Sequence, residues 1–235
     1  MKKEYGQHFL ADRNILDVIG RLAELAPEDV VLEIGPGQGV LTRYLAERVD
    51  LVHAIEIDRA LEPALSDLPA NVDVVFGDAL RIELPRDATK LVANLPYNVA
   101  TPLVVESLDG LPGVRLWCVM VQREVAERFF AQPGTKDYGA VSVLVQLAAE
   151  RTGFHPVSRT VFRPQPNVDS ALVAFRRTGL PPEFGRVREV VAAAFAHRRK
   201  TLPNSLALAA IGRPPETRAE ALAPAEFVAL TEALR

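Results

Sequence analysis

Short apolar runs alternate along the first two-thirds of the chain with segments whose apolar residues recur every third or fourth position. The runs at 30–34, 51–57, 72–76, 90–93 and 114–121 are rich in Val, Leu and Ile, which predicts buried strands. Asp12 is placed to cap a helix reaching about residue 26, with Ile15, Leu16, Ile19, Leu22 and Ala23 as its apolar stripe. Other helices fit a start near Gly39 and the spans 59–66, 101–109 and 122–131. Such alternation predicts βαβ units, hence an α/β fold around a mostly parallel sheet. Two further runs, 141–149 and 169–176, predict an antiparallel pair of strands at one edge and bring the sheet to seven strands. After "RRTGLPPEFG" (176–185) the pattern is helical only, in short amphipathic pieces at 187–195, 202–210, 217–222 and 224–234. A boundary near Gly179 then divides a sheet domain, 1–178, from a small all-helical domain, 179–235.

At 235 residues, 49% of them apolar, the chain suits one large domain with a small appendage and a substantial core. Cys118 is the sole cysteine and sits within Leu116-Trp117-Cys118-Val119-Met120. It excludes an intramolecular disulfide and a zinc-thiolate cluster, and reads as a core residue in a reducing compartment. "MKKEYGQHFL" is not followed by an apolar signal region, and no run approaches the roughly 18 apolar residues that span a bilayer. A soluble, cytoplasmic protein without membrane contact is expected. The net charge of −3 is unevenly spread: residues 151–204 carry ten Arg and Lys against three acids, while the first 150 residues carry −9. That asymmetry changes the picture, because a basic segment on an acidic protein is the footprint of a polyanion-binding surface.

The strand ends carry the candidate chemistry. "VVLEIGPGQGVLT" (30–42) is a strand, then glycines 35, 37 and 39, then a helix. Glycines permit a sharp turn and close approach to a ligand at a helix N-terminus. The dinucleotide fingerprint requires Gly or Ala where this chain has Val40, and the spacing resembles motif I of S-adenosylmethionine (SAM) methyltransferases. Glu56, at the end of the next strand, can accept from both ribose hydroxyls, and Asp78 in "FGDAL" can accept from an adenine amino group. All three features fall on the carboxyl edge of the sheet, where open α/β sheets bind ligands.

The fourth strand delivers Asn94-Leu95-Pro96-Tyr97 to that same edge. An adenine amine is a poor nucleophile because its lone pair is delocalised into the ring. Two acceptors on its hydrogens, the Asn94 side-chain oxygen and the Leu95 carbonyl, would favour a more tetrahedral nitrogen. Pro96 restricts Leu95 to extended backbone, and Tyr97 offers a face on which a base can stack. Catalysis would rest on positioning and on hydrogen bonds that strengthen as the amine gains charge.

These residues resemble the ribosomal RNA adenine N6-dimethyltransferase family, and within it the small-subunit branch. The resemblance runs from "YGQHFL" (5–10) through "LEIGPGQGVLT", "IEID", "GDAL", "NLPYNVATPL", "VQREVAERF" and "YGAVSVLVQ" to "FRPQPNVDSALVAF" (162–175) and "AFAHRRKTLPNSL" (194–206). It implies a Rossmann-like class I methyltransferase fold and SAM as the cofactor, with no metal. Gln7, His8 and Leu10 would line the cofactor site with Gly35, Gly37, Glu56, Asp78 and Asn94. The family usually has Asn where this chain has His8, so a backbone contact is what carries over there. Phe162 would sandwich the target adenine against Tyr97. The implied substrate is a pair of adjacent adenosines in a hairpin loop near the 3′ end of 16S rRNA, dimethylated on a monomeric enzyme within an assembling small subunit. Arg159, Arg163, Arg198, Arg199 and Lys200 would hold its phosphates. Macrolide-resistance enzymes that methylate 23S rRNA, and mitochondrial relatives that have become transcription factors, share the fold and an NLPY-like motif. A non-catalytic ribosome assembly factor that keeps the fold without turnover is a rival of a different class.

Overall fold

The computed structural model describes residues 8–10, 12–196 and 205–234. By contact the chain divides into two units, one running through Ala126 and resuming at Arg151–Arg177, the other comprising Glu127–Glu150 and Thr178–Arg235. The single boundary expected near Gly179 is therefore replaced by three crossings of the chain.

The first unit is built on a seven-stranded sheet. Its strands are β2 (Val30–Ile34), β3 (Leu51–Glu56), β4 (Val72–Phe76), β5 (Lys90–Asn94), β6 (Leu116–Gln122), β7 (Ala149–Val157) and β9 (Ser170–Arg177), in the order β4-β3-β2-β5-β6-β9-β7. A separate pair, β1 (Phe9–Leu10) and β8 (Phe162–Arg163), runs antiparallel with Leu10 opposite Phe162. In the main sheet β2–β3, β3–β4, β2–β5 and β5–β6 are parallel, and β6–β9 is antiparallel. From β2 the chain builds outward through β3 and β4, then returns to add β5 on the other side of β2. The carboxyl ends of β2 and β5 thus flank the topological switch point, where such sheets open a ligand crevice.

The connecting helices follow the sequence signals. In α1 (Arg13–Leu22) the Asp12 side chain accepts from the Asn14 N–H, and Ile15, Leu16 and Ile19 are buried against the sheet core. The helix stops at Leu22, short of the expected residue 26, and Glu24 takes a positive φ of 48°. α2 (Val40–Ala46) starts from Gly39 at φ 75°, a left-handed conformation that suits glycine. α3 (Glu62–Leu65), α4 (Ala100–Gly110) and α5 (Arg123–Phe129) complete the set. Trp117 and Phe175 stack at 5.2 Å from adjacent strands, and the Trp117 indole donates to Ser107. Cys118 is buried in this core, which pushes its thiol up to about 12 and makes it inert.

One expected strand is a helix. Residues 141–148 fall in α6 (Ala140–Ala148), and the strand begins only at Ala149, as β7. Val141, Ser142, Val143, Leu144, Val145 and Ala148 are all buried, so the segment is apolar nearly all round and imitates a buried strand. It belongs to the second unit, with α7 (Phe184–Ala196), α8 (Ser205–Ala210) and α9 (Pro224–Ala233). Within that unit the Tyr138 hydroxyl donates to the Leu222 carbonyl, and Phe195 lies against both Tyr138 and Phe227.

Candidate active site

The loops after β2, β3, β4 and β5 enclose a cleft of about 1200 Å³, open mouth included. Its floor is the glycine turn. Gly35 and Gly37 have φ of 77° and 59°, and a Cβ on Gly37 would lie 2.8 Å from the Phe9 ring. Only glycine lets β1 close over this turn.

Glu56 braces the turn from the next strand. One carboxylate oxygen accepts from the Gly37 N–H at 3.0 Å and the other from the Asp58 N–H at 2.9 Å. Burial raises its pKa, and these backbone donors oppose the rise. Each oxygen keeps a further lone pair, the number a ribose diol requires. Asp78 lines the cleft after β4; its Oδ1 accepts from the Leu80 N–H, and Arg81 lies 3.3 Å from Oδ2.

Glu33 lines the same cleft and was not singled out by sequence reasoning. It is fully buried, and burial pushes its carboxyl up to about 8, with the neighbouring Glu56 charge adding to the rise and Thr42 opposing it. Thr42 stands beside the carboxyl without closing a hydrogen bond: neither Glu33 Oε2 nor Thr42 Oγ1 has a partner within bonding geometry. A buried carboxyl oxygen aimed into a cleft without a donor fits a cationic ligand group. The signal that would have found it is an acid standing within the apolar run of β2, two residues before the first glycine. Taken together, an orphaned acid, a diol acceptor and a turn that only glycine permits fit an amino-acid-bearing nucleoside such as SAM.

Asn94 ends β5. Its Nδ2 donates to the His8 carbonyl at 3.0 Å, which leaves Oδ1 for the cleft it lines. The backbone of residue 8 is therefore engaged with Asn94, and the His8 ring bonds through Nδ1 to the Pro164 carbonyl at 2.8 Å. Leu95 is buried and its N–H donates to Met120, while Pro96 packs 3.5 Å from where a Gly35 Cβ would stand. Tyr97 lines the mouth, 5.5 Å from the His8 ring. Leu10 lines the cleft from β1, while Gln7 lies outside the described residues.

Phe162 does not join this site. It is entirely buried in the core cluster with Leu10, Ile15, Leu16 and Met120, and does not line the cleft. Pairing of β8 with β1 turns its ring inward, so the structure places Phe162 in the core and does not bring it to the cleft where it was expected to stack. Among the basic residues, Arg159 and Arg163 are exposed, and each also bonds local carbonyls, Asn167 for the first and Thr160 and Phe162 for the second. Arg176 pairs with Glu24 at 2.6 Å, and Arg177 is caged by the carbonyls of Leu108, Leu111 and Val114 over the Trp117 ring. Arg198, Arg199 and Lys200 lie outside the described residues. Among those described, no cluster of three or more His, Cys, Asp or Glu could hold a metal ion.

Known proteins match this arrangement over nearly its whole length. A relative from Rubrobacter xylanophilus called "Ribosomal RNA small subunit methyltransferase A" is 48% identical, covering 97% of this chain and 93% of its own. A dimethyladenosine transferase from Plasmodium falciparum superposes with a TM-score of 0.80 at 25% identity, covering 95% of this chain and 96% of that one. The 23S rRNA methyltransferase ErmE superposes with a TM-score of 0.66 at 30% identity, covering 96% and 99%. The family model described as ribosomal RNA adenine dimethylase matches residues 1–221, and with the class I methyltransferase sheet and its carboxyl-edge cleft already in place, the chain belongs to that family.

Proposed function

We propose that the protein methylates N6 of two adjacent adenosines, in a hairpin loop near the 3′ end of 16S rRNA, to the dimethyl form during small-subunit assembly. The observation that carries the reading is Asn94 at the switch point: its amide nitrogen is committed to the His8 carbonyl, so its oxygen faces the cleft. SAM, when bound, supplies an electrophilic methyl sulfonium. Glu56 would accept from its ribose, Asp78 from its adenine amine and Glu33 from its ammonium. In the first transfer Asn94 Oδ1 and the Leu95 carbonyl would accept hydrogen bonds from the two hydrogens of the target amine and aim its lone pair at the methyl carbon. The methyl–sulfur bond would break with its electron pair left on sulfur, and the alkylated nitrogen would then release a proton, so that one hydrogen remains to be held in the second transfer. As that nitrogen gains positive charge, both hydrogen bonds strengthen, which lowers the barrier selectively. Tyr97 supports the base that has left its stack, an inexpensive excursion in a loop.

Arg159 and Arg163 are proposed as phosphate contacts, with the 198–200 triplet as a further one on the C-terminal helical unit. The small subunit is preferred as target because the 48%-identical relative bears a small-subunit name. The 30% identity to ErmE keeps large-subunit rRNA as the second reading. Among the described residues no helix is long and apolar enough to cross a membrane. The enzyme is proposed to act as a cytoplasmic monomer. The test offers tritiated SAM with small subunits lacking the modification, large subunits and naked rRNA. Label in adjacent adenosines of the small subunit is expected; label in the large subunit alone would transfer the protein to the second reading.

A further inference from the structure

Tyr97 reaches the cleft mouth on a turn after β5, and a half-exposed ring on a turn needs something to fix its plane. The structure provides it from β9, two strands away from β5. The Tyr97 phenol oxygen lies 2.5 Å from the hydroxyl of Ser170, a fully buried residue at the first position of β9, opposite Gln122 of β6. Burial raises the Tyr97 pKa, an effect opposed by Ser170 and enhanced by Asp169, so the phenol keeps its proton and the bond stays intact. The residues before Ser170 are pinned in turn. Asp169 accepts from the Arg159 N–H at 3.0 Å through Oδ1 and from the Arg123 N–H at 3.1 Å through its carbonyl. The Arg159 guanidinium bonds the Asn167 carbonyl at 2.9 Å. At the other end of the same segment, the Pro164 carbonyl holds the His8 ring that faces Tyr97.

We infer that Ser170 is a positioning residue for methyl transfer, holding the Tyr97 ring in the plane on which the target base rests. The inference rests on the base-stacking role proposed for Tyr97. Ser170 touches neither cofactor nor base; it acts through the phenol alone. A phenylalanine at 97 keeps the stacking face and loses the anchor, and an alanine at 170 removes the same bond from the other side. Loss of one such buried bond corresponds to a rate effect of roughly tenfold. Because both variants break one interaction, their effects should not add.

The test is a double-mutant cycle read as kcat/KM for unmodified small subunits, with SAM affinity measured in parallel by calorimetry. Tyr97→Phe and Ser170→Ala are each expected to lower kcat/KM about tenfold, the double variant no further, and SAM affinity to stay within twofold. Additive losses would overturn the inference, as would full activity in Tyr97→Phe, a variant that removes no carbon from the ring and decides the matter even if Ser170→Ala folds poorly. Absence of methyl transfer by the unaltered protein would instead defeat the functional reading on which this one stands.

Discussion

Replacing Glu33 by glutamine separates what a buried carboxyl costs the fold from what it contributes to binding. The side chain is fully buried, its Oε2 has no donor, and its pKa is pushed up from 4.5 to about 8. In that window the folded protein holds a proton that the unfolded chain has released. Stability therefore falls as pH rises from about 4.5, and the full cost is reached above about 8. Each pH unit across the window costs ~1.4 kcal/mol, which accumulates to about 5 kcal/mol as an upper figure. Glutamine keeps the shape and cannot ionise. The variant should match the parent within ~1 kcal/mol near pH 5 and exceed it by several kcal/mol near pH 9. Urea unfolding of the cofactor-free protein at the two pH values measures this directly. Binding should run the other way: SAM loses the carboxylate that meets its ammonium, and its affinity should drop at least tenfold. A variant with the parent's pH slope, or one that binds SAM as tightly as the parent, would refute the assignment.

Gly37→Ala combines left-handed strain of about 1–2 kcal/mol with overpacking against Phe9 of about 1–3 kcal/mol, so calorimetry should show SAM binding weakened by two orders of magnitude or more. Phe162→Leu should cost less than about 1.5 kcal/mol in urea unfolding and retain activity, whereas a loss of turnover with stability intact would restore the stacking role. Arg159→Ala should weaken RNA binding about equally across sequences and reduce the slope of log affinity against log salt by about 1 in filter binding.

Most of the lining of the candidate cofactor cleft could be read from the sequence because its chemistry is local: each strand ends in an acid, amide or glycine turn, and strand order in a parallel sheet brings those ends together. β2 and β4 fall where the apolar runs place them. Long-range geometry was not legible. Phe162 precedes a Pro-rich stretch, and only its pairing through β8 with Leu10 shows that the ring turns into the core. Ser170 and Tyr97 lie 73 residues apart, so nothing local couples them. Residues 141–149 misled because a helix buried on nearly all sides carries no periodic signal. Arg176 and Arg177 counted toward a basic surface in the sequence, yet the fold spends them on Glu24 and on a cage of carbonyls.

The central claim is that Asn94 acts on the target amine and not merely on the cofactor. Single-turnover methyl transfer to unmodified small subunits by Asn94→Ala, alongside its SAM dissociation constant, tests this most directly. The account predicts a rate at least 10²-fold lower, the order expected when one aligned transition-state hydrogen bond is removed, with SAM affinity reduced far less. A variant whose rate falls only in proportion to its SAM affinity, or does not fall, would contradict it.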